Sequence, residues 1–181
     1  TDANGLYAFV DLIAGPYFVN FARPAGYRPS PADRGADDAA DSDASQLTGN
    51  TVVTALLSGE NDPTWDAGFF RPASVGDYVW LDANWDGVQG PGEAGLPSVR
   101  VQLLNSTGTV VATTLTDVDG LYLFSDLPPG TYTVRVDVAS LPAGLAANQT
   151  FAPDATRNHP TTVPLAPGDA IRTAASGYTR R

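Results

Sequence analysis

The sequence predicts an all-β fold of antiparallel β-sandwich repeats in tandem, and three observations carry that prediction. Apolar and polar residues alternate in short runs, turn-forming residues separate the runs at short intervals, and one long block of the chain occurs twice.

The repeat sets the frame. Thr1-Asp2-Ala3-Asn4-Gly5-Leu6-Tyr7-Ala8-Phe9-Val10-Asp11-Leu12 matches Thr116-Asp117-Val118-Asp119-Gly120-Leu121-Tyr122-Leu123-Phe124-Ser125-Asp126-Leu127, and Gly15, Tyr17 and Val19 continue it onto Gly130, Tyr132 and Val134. A second block, Ser58-Gly59-Glu60 to Phe69, aligns with Pro167-Gly168-Asp169 to Tyr178 at an offset of 109 instead of 115, so the second copy is six residues shorter in between. Residues 1–72 therefore read as the C-terminal part of one repeat, without its first strands, and 73–181 as a complete one. The junction Phe70-Arg71-Pro72-Ala73 is short and contains proline, which predicts restricted bending between the two.

In chain order, alternating runs cover Leu6 to Phe9, Tyr17 to Phe21 and Thr51 to Leu57. In the second copy they cover Val75 to Leu81, Val99 to Leu103, Val110 to Leu115, Leu121 to Phe124 and Tyr132 to Val136. Asn105-Ser106-Thr107-Gly108, Asp117-Val118-Asp119-Gly120 and Pro128-Pro129-Gly130 supply the turns between them. No stretch keeps an apolar period of 3.6 long enough for an ordinary helix. About seven short strands in a repeat of roughly 100 residues suit an immunoglobulin-like sandwich.

Composition narrows the function. The 181 residues carry a formal charge of −10, with 18 Asp, 2 Glu, 10 Arg and no Lys, a balance that disfavours a nucleic-acid partner. Apolar residues never gather into the run of about 18 that a membrane span needs, so no membrane contact by this segment is expected. The absence of Cys excludes disulfides, thiolate metal sites and thiol catalysis. Asp in such excess belongs to turns and to oxygen-ligand metal loops.

The most specific local signal is Asp82-Ala83-Asn84-Trp85-Asp86-Gly87-Val88-Gln89-Gly90-Pro91-Gly92-Glu93, which matches the twelve-residue calcium-loop pattern without a gap. Asp82, Asn84 and Asp86 offer side-chain oxygens on alternate residues, and Gly87 permits the sharp turn. Val88 would give its carbonyl, the Gly90 position would act through water or another loop, and Glu93 is long enough to reach back with both oxygens. The competing reading is a long polar turn. A strand pattern before the loop, and Gly95 and Pro97 after it, exclude a helix-loop-helix; the ion is expected to stiffen a sandwich and to leave as carboxylates protonate near about pH 4.

A second candidate cluster lies in Asp33-Arg34-Gly35-Ala36-Asp37-Asp38-Ala39-Ala40-Asp41-Ser42-Asp43. Here Asp37, Asp38, Asp41 and Asp43 repel one another unless a cation is shared. A solvated acidic loop is the alternative, and the second copy has no such tract.

Other features carry less. Asp117 and Asp119, like Asp2 and Asn4, read as hairpin-turn residues, and Trp65, Trp80 and Trp85 as core or loop-packing anchors. His159, the only histidine, sits beside Pro160 and makes no catalytic triad; sequons at Asn105 and Asn148 matter only in a glycosylating host.

Ser74-Val75-Gly76-Asp77-Tyr78-Val79-Trp80-Leu81-Asp82-Ala83-Asn84-Trp85-Asp86-Gly87, Gly95-Leu96-Pro97-Ser98-Val99-Arg100-Val101, Thr116-Asp117 to Phe124 and Leu127-Pro128-Pro129-Gly130-Thr131-Tyr132 together resemble the SdrD B-like repeats of serine-aspartate-repeat surface proteins. The resemblance covers nearly the whole chain, including Asp37 to Asp43 and Asp66-Ala67-Gly68-Phe69. It implies a calcium-binding, prealbumin-like (Cna-B-like) sandwich arranged in tandem as a stalk. Two departures matter: without Lys the Lys-Asn crosslink of some Cna-B relatives cannot form, and Asp66 has no counterpart in the second copy, where the aligned stretch reads Ala174-Ala175-Ser176-Gly177-Tyr178.

The expectation is a non-enzymatic, calcium-stiffened spacer of a secreted or cell-surface bacterial protein, with neighbouring repeats as its partners. Two alternatives remain. One is a subunit of a self-assembling filament, in which another copy supplies the strands missing from 1–72; the other is an adhesive module for a host protein or glycan.

Overall fold

The computed structural model describes residues 1–34, 36–145, 149–152 and 160–180. His159, Asn148 and most of the stretch between them lie outside the described residues. The chain folds as two compact units, Thr1–Phe70 and Arg71–Arg181. The described residues of the first form four short strands, β1 (Gly15–Tyr17), β2 (Arg28–Pro29), β3 (Thr54–Leu56) and β4 (Phe69–Phe70), paired β1 with β3 and β2 with β4.

The described residues of the second unit form nine strands, β5 (Ala73–Leu81), β6 (Arg100–Leu104), β7 (Val110–Leu115), β8 (Leu121–Leu127), β9 (Gly130–Val136), β10 (Gln149–Phe151), β11 (Pro160–Leu165), β12 (Ala170–Ile171) and β13 (Ser176–Tyr178), with one 3-10 turn, Val138–Ser140, between β9 and β10. β11, β9, β6 and β7 form one antiparallel sheet. In the facing sheet β5 takes β8 antiparallel but β12 and β13 parallel, a departure from the purely antiparallel expectation. The reason is topological: the first strand of the sandwich runs between β8 and the closing strands, and β13 returns along it in the same direction.

Alternation does what it predicts. Tyr122 and Phe124 point inward from β8 while Leu121 and Leu123 face out, and Val101 with Leu103, then Val134 with Val136, fill the core from the other sheet. Each such side chain contributes roughly 1.5–3 kcal/mol by leaving water. Gly76 is required by this packing, since a Cβ there would lie 2.3 Å from the Tyr122 carbonyl oxygen. Thr116 ties the layers near the candidate loop, donating to the Leu96 carbonyl at 2.6 Å and accepting the Val99 amide at 2.9 Å.

The first unit repeats part of this plan. The register of Gly15 on Leu56 reproduces that of Gly130 on Leu165. The expected strand Leu6 to Phe9 is absent, and the expected strands at 17–21 and 51–57 shrink. A strand exists only beside a partner, and among the described residues none lies alongside residues 6–12.

Candidate metal centre

The loop from 82 to 93 is held at both ends by the β5 sheet. Asp82 follows the last residue of β5 and donates its amide to the Tyr178 carbonyl of β13 at 2.8 Å, while the Leu81 amide reaches the Ala94 carbonyl at 2.9 Å and closes the loop at its neck. Gly95 must be glycine here, because a Cβ would fall 1.9 Å from the Asp119 carbonyl oxygen. Gly87, at φ +73°, turns the chain, and the loop lies over the Thr150 backbone of β10.

Within this frame the side chains have unequal settings. Asp82 is fully buried; its Oδ2 accepts the Gly87 amide at 2.9 Å, and its Oδ1 has no hydrogen-bond partner among the described residues. Burial acts to raise this carboxyl, but the Thr150 side chain and the amides of Gly87, Trp85 and Asp86 outweigh it and hold the group below the ordinary carboxylate range. An ionised, buried oxygen without a donor is the condition a cation relieves.

Asn84 and Asp86 are exposed and brace each other. Asn84 Oδ1 accepts the Asp86 amide at 3.0 Å, its Nδ2 donates to Asp86 Oδ2 at 2.8 Å, and Asp86 Oδ1 accepts the Val88 amide at 2.7 Å. Glu93 reaches back as its length suggests, taking the Ala83 amide on Oε1 and the Gly90 amide on Oε2, both at 2.9 Å. Val88 is exposed. The loop thus gathers Asp82, Asn84, Asp86, Gly90 and Glu93 around its own amides, but its three carboxylates do not all come within 4.8 Å of one another. Trp85 is exposed at φ +63°, not the packing anchor expected, whereas Trp80 is buried against Phe151.

In the first unit Asp33, Asp41 and Asp43 do converge, with one carboxylate oxygen from each within 4.8 Å of the others. Asp33 is outside the expected set, and Asp37 and Asp38 are outside this group; Asp37 instead organises the turn after it, accepting the Ala39 amide at 3.2 Å. A bridge between Ala32 and Ser42 brings Asp33 next to the other two, and the Asp33 amide donates to the Ser42 carbonyl at 2.9 Å. The sequence signal for Asp33 is its place at the head of the same acidic tract. Asp66 joins from the other side, its amide donating to Asp43 Oδ2 at 2.7 Å. Desolvation raises the Asp43 carboxyl, the Asp66 amide acts against that, and the carboxylates of Asp66, Asp38 and Asp41 push it up further. Desolvation likewise raises Asp66, helped by Asp41 and Asp38.

The sequence pattern of the SdrD B-like domain matches residues 1–69 and 73–164. Serine-aspartate repeat-containing protein C of Staphylococcus aureus strain N315 is 43% identical over 152 residues, covering 83% of this chain and 15% of that protein; the strain Newman protein matches to the same extent. The chain thus spans about 15% of the length of these relatives. Among solved structures, the minor pilin GBS52 of Streptococcus agalactiae aligns over 93% of this chain and 84% of its own at 12% identity and a TM-score of 0.46. The Bacillus anthracis TIE protein aligns over 93% of this chain and 26% of its own, at 18% identity and the same score. The chain belongs to the SdrD B-like domain family, a family of structural surface-protein domains and not of enzymes, and its place is extracellular or at the cell surface.

Proposed function

We propose that this chain is a load-carrying spacer of a bacterial surface protein, that calcium stiffens it, and that its partners are neighbouring repeats of the same polypeptide. The observation that carries the reading is the buried Asp82 carboxylate with one oxygen lacking a hydrogen bond among the described residues. Asp82, Asn84, Asp86 and Glu93, with the backbone oxygen of Val88 and a water or another loop at the Gly90 position, would offer the hard oxygen donors that calcium prefers over softer ligands. The ion would supply charge compensation and fix the loop against β10 and β13; it performs no chemistry.

The same reading extends to the first unit, where Asp33, Asp41 and Asp43 would hold a second ion with Asp38 and Asp66 alongside. The raised Asp43 and Asp66 carboxyls support it, because mutual repulsion is what a divalent cation removes. Isothermal titration of the chelator-stripped chain with calcium, paired with melting curves, tests the proposal. Heat of binding with a raised melting temperature is the expected result; identical melts with calcium and with chelator defeat it.

A further inference from the structure

The twelve-residue pattern ends at Glu93, but the buried side of the 82–93 loop continues onto β10. A Cβ on Gly87 would lie 3.3 Å from the Thr150 carbonyl oxygen, so the turn of the loop rests directly on that strand. β10 is irregular at this point. Gln149 lies opposite Tyr178 and Phe151 opposite Gly177, which makes Thr150 the extra residue of a β-bulge. A bulge re-aims the side chain it carries, and this is how a residue far along the chain comes to face the head of the loop.

Thr150 is 3% exposed, and its side chain faces the fully buried Asp82. The hydroxyl lies close enough to favour the ionised carboxyl, but at a geometry that satisfies neither group: Thr150 Oγ1 and Asp82 Oδ1 both stay buried without a hydrogen-bond partner among the described residues. Gly177 shapes the other side of the hydroxyl. A Cβ there would lie 3.1 Å from Thr150 Oγ1 and 2.7 Å from Trp80 Cζ2, so glycine lets β13 close on both. A buried hydroxyl and a buried carboxylate oxygen each cost free energy unless something pairs with them. Side by side and cut off from water, they are two hard donors for one cation.

We infer that the 82–93 centre extends beyond its loop: the Thr150 hydroxyl oxygen joins Asp82 Oδ1 on the same calcium ion, so that the ion ties β10 to the end of β5. The inference rests on the calcium reading of the loop and adds to it a ligand that no local pattern contains. Occupancy of the centre is then felt in β10 as well as in the loop.

Hydrogen exchange of the full 181-residue chain, titrated with calcium from chelator, reads residues 82–88 and 149–151 separately. In the wild type both segments should slow over one range of calcium concentration. Thr150→Val keeps the branched shape and removes the oxygen; protection of 82–88 should then need about tenfold more calcium, and the calcium-linked slowing of 149–151 should be lost. Thr150→Ser keeps the hydroxyl and should restore both. Melting in chelator separates a ligand from a packing contact, because Thr150→Val leaves no partner unpaired there and should melt no lower than the wild type. Thr150→Val that responds to calcium as the wild type does overturns the inference. So does a Thr150→Val melt lowered equally in calcium and in chelator, which assigns the hydroxyl a structural role only. A wild type in which calcium slows neither segment overturns the calcium reading of the loop itself, and this inference with it.

Discussion

The two side-chain oxygens of Asp82 have unequal surroundings: Gly87 donates its amide to Oδ2 at 2.9 Å, and no donor among the described residues meets the equally buried Oδ1. Asp82→Asn keeps an acceptor for Gly87 and removes the charge that calls for a cation. With free calcium at 100 times Kd, the ligand-linked gain is about 2.7 kcal/mol, which raises the melting temperature of the second unit by roughly 10 °C. In Asp82→Asn most of that rise should vanish in differential scanning calorimetry, while the melt in chelator changes little.

Glu93 is the brace between the ends of the loop, since Oε1 holds Ala83 and Oε2 holds Gly90. Gln at this position keeps one acceptor and turns an NH2 toward the other amide. Glu93→Gln should lose about 1–2 kcal/mol even without calcium, measured by urea unfolding in chelator, and weaken calcium binding as well.

The Asp33, Asp41 and Asp43 cluster predicts opposite signs for one substitution. Asp33 has φ +52°, a conformation Asn adopts readily, so Asp33→Asn relieves repulsion without backbone cost. The first unit of this variant should exchange its amides more slowly than wild type in chelator and show a smaller gain on adding calcium. The same direction in both conditions speaks against a shared ion.

Burial pushes the Asp77 carboxyl up to about 6, against the Ala175 amide and Arg172, which lower it. Its unfolded value is about 3.9, so the folded chain holds the extra proton between those limits. This group's contribution is therefore greatest at low pH and is lost as pH rises through about 6. Asp77→Asn should be more stable than wild type at pH 7.5 and close to it at pH 4.5, as read from paired denaturation curves.

A Cβ on Gly95 would lie 1.9 Å from the Asp119 carbonyl oxygen, with backbone and not a flexible side chain in the way. Gly95→Ala should cost more than about 3 kcal/mol and unseat the neck of the 82–93 loop, so that calcium binding and stability fall together. Calorimetry and calcium titration on the same sample check both.

Much of the second unit was legible because its strands alternate and their partners are present: Val110 to Leu115 lies where the pattern puts it, and Tyr122 and Phe124 are inside. The first unit was less so. Leu6 to Phe9 carries the same pattern, yet pattern alone cannot provide the neighbouring strand that a ladder requires. At the candidate sites the sequence indicated that Glu93 folds back onto the start of its loop, because spacing and side-chain length are local properties. It pointed to Asp37 and Asp38 in place of Asp33, because the Ala32 to Ser42 bridge that selects Asp33 is a long-range contact. Trp85 misled for a related reason: the left-handed turn at this residue points an apolar side chain to solvent.

The parallel pairing of β13 with the end of β5 bears on how the second unit meets tension. A pull applied through both ends of the chain drags β5 back toward Ala73 and β13 forward past Tyr178, so adjacent strands slide in opposite senses along their length. Their hydrogen bonds are then strained together in shear, not opened one at a time like a zipper, and the Asp82 amide bonded to Tyr178 sits at the point where that sliding must begin.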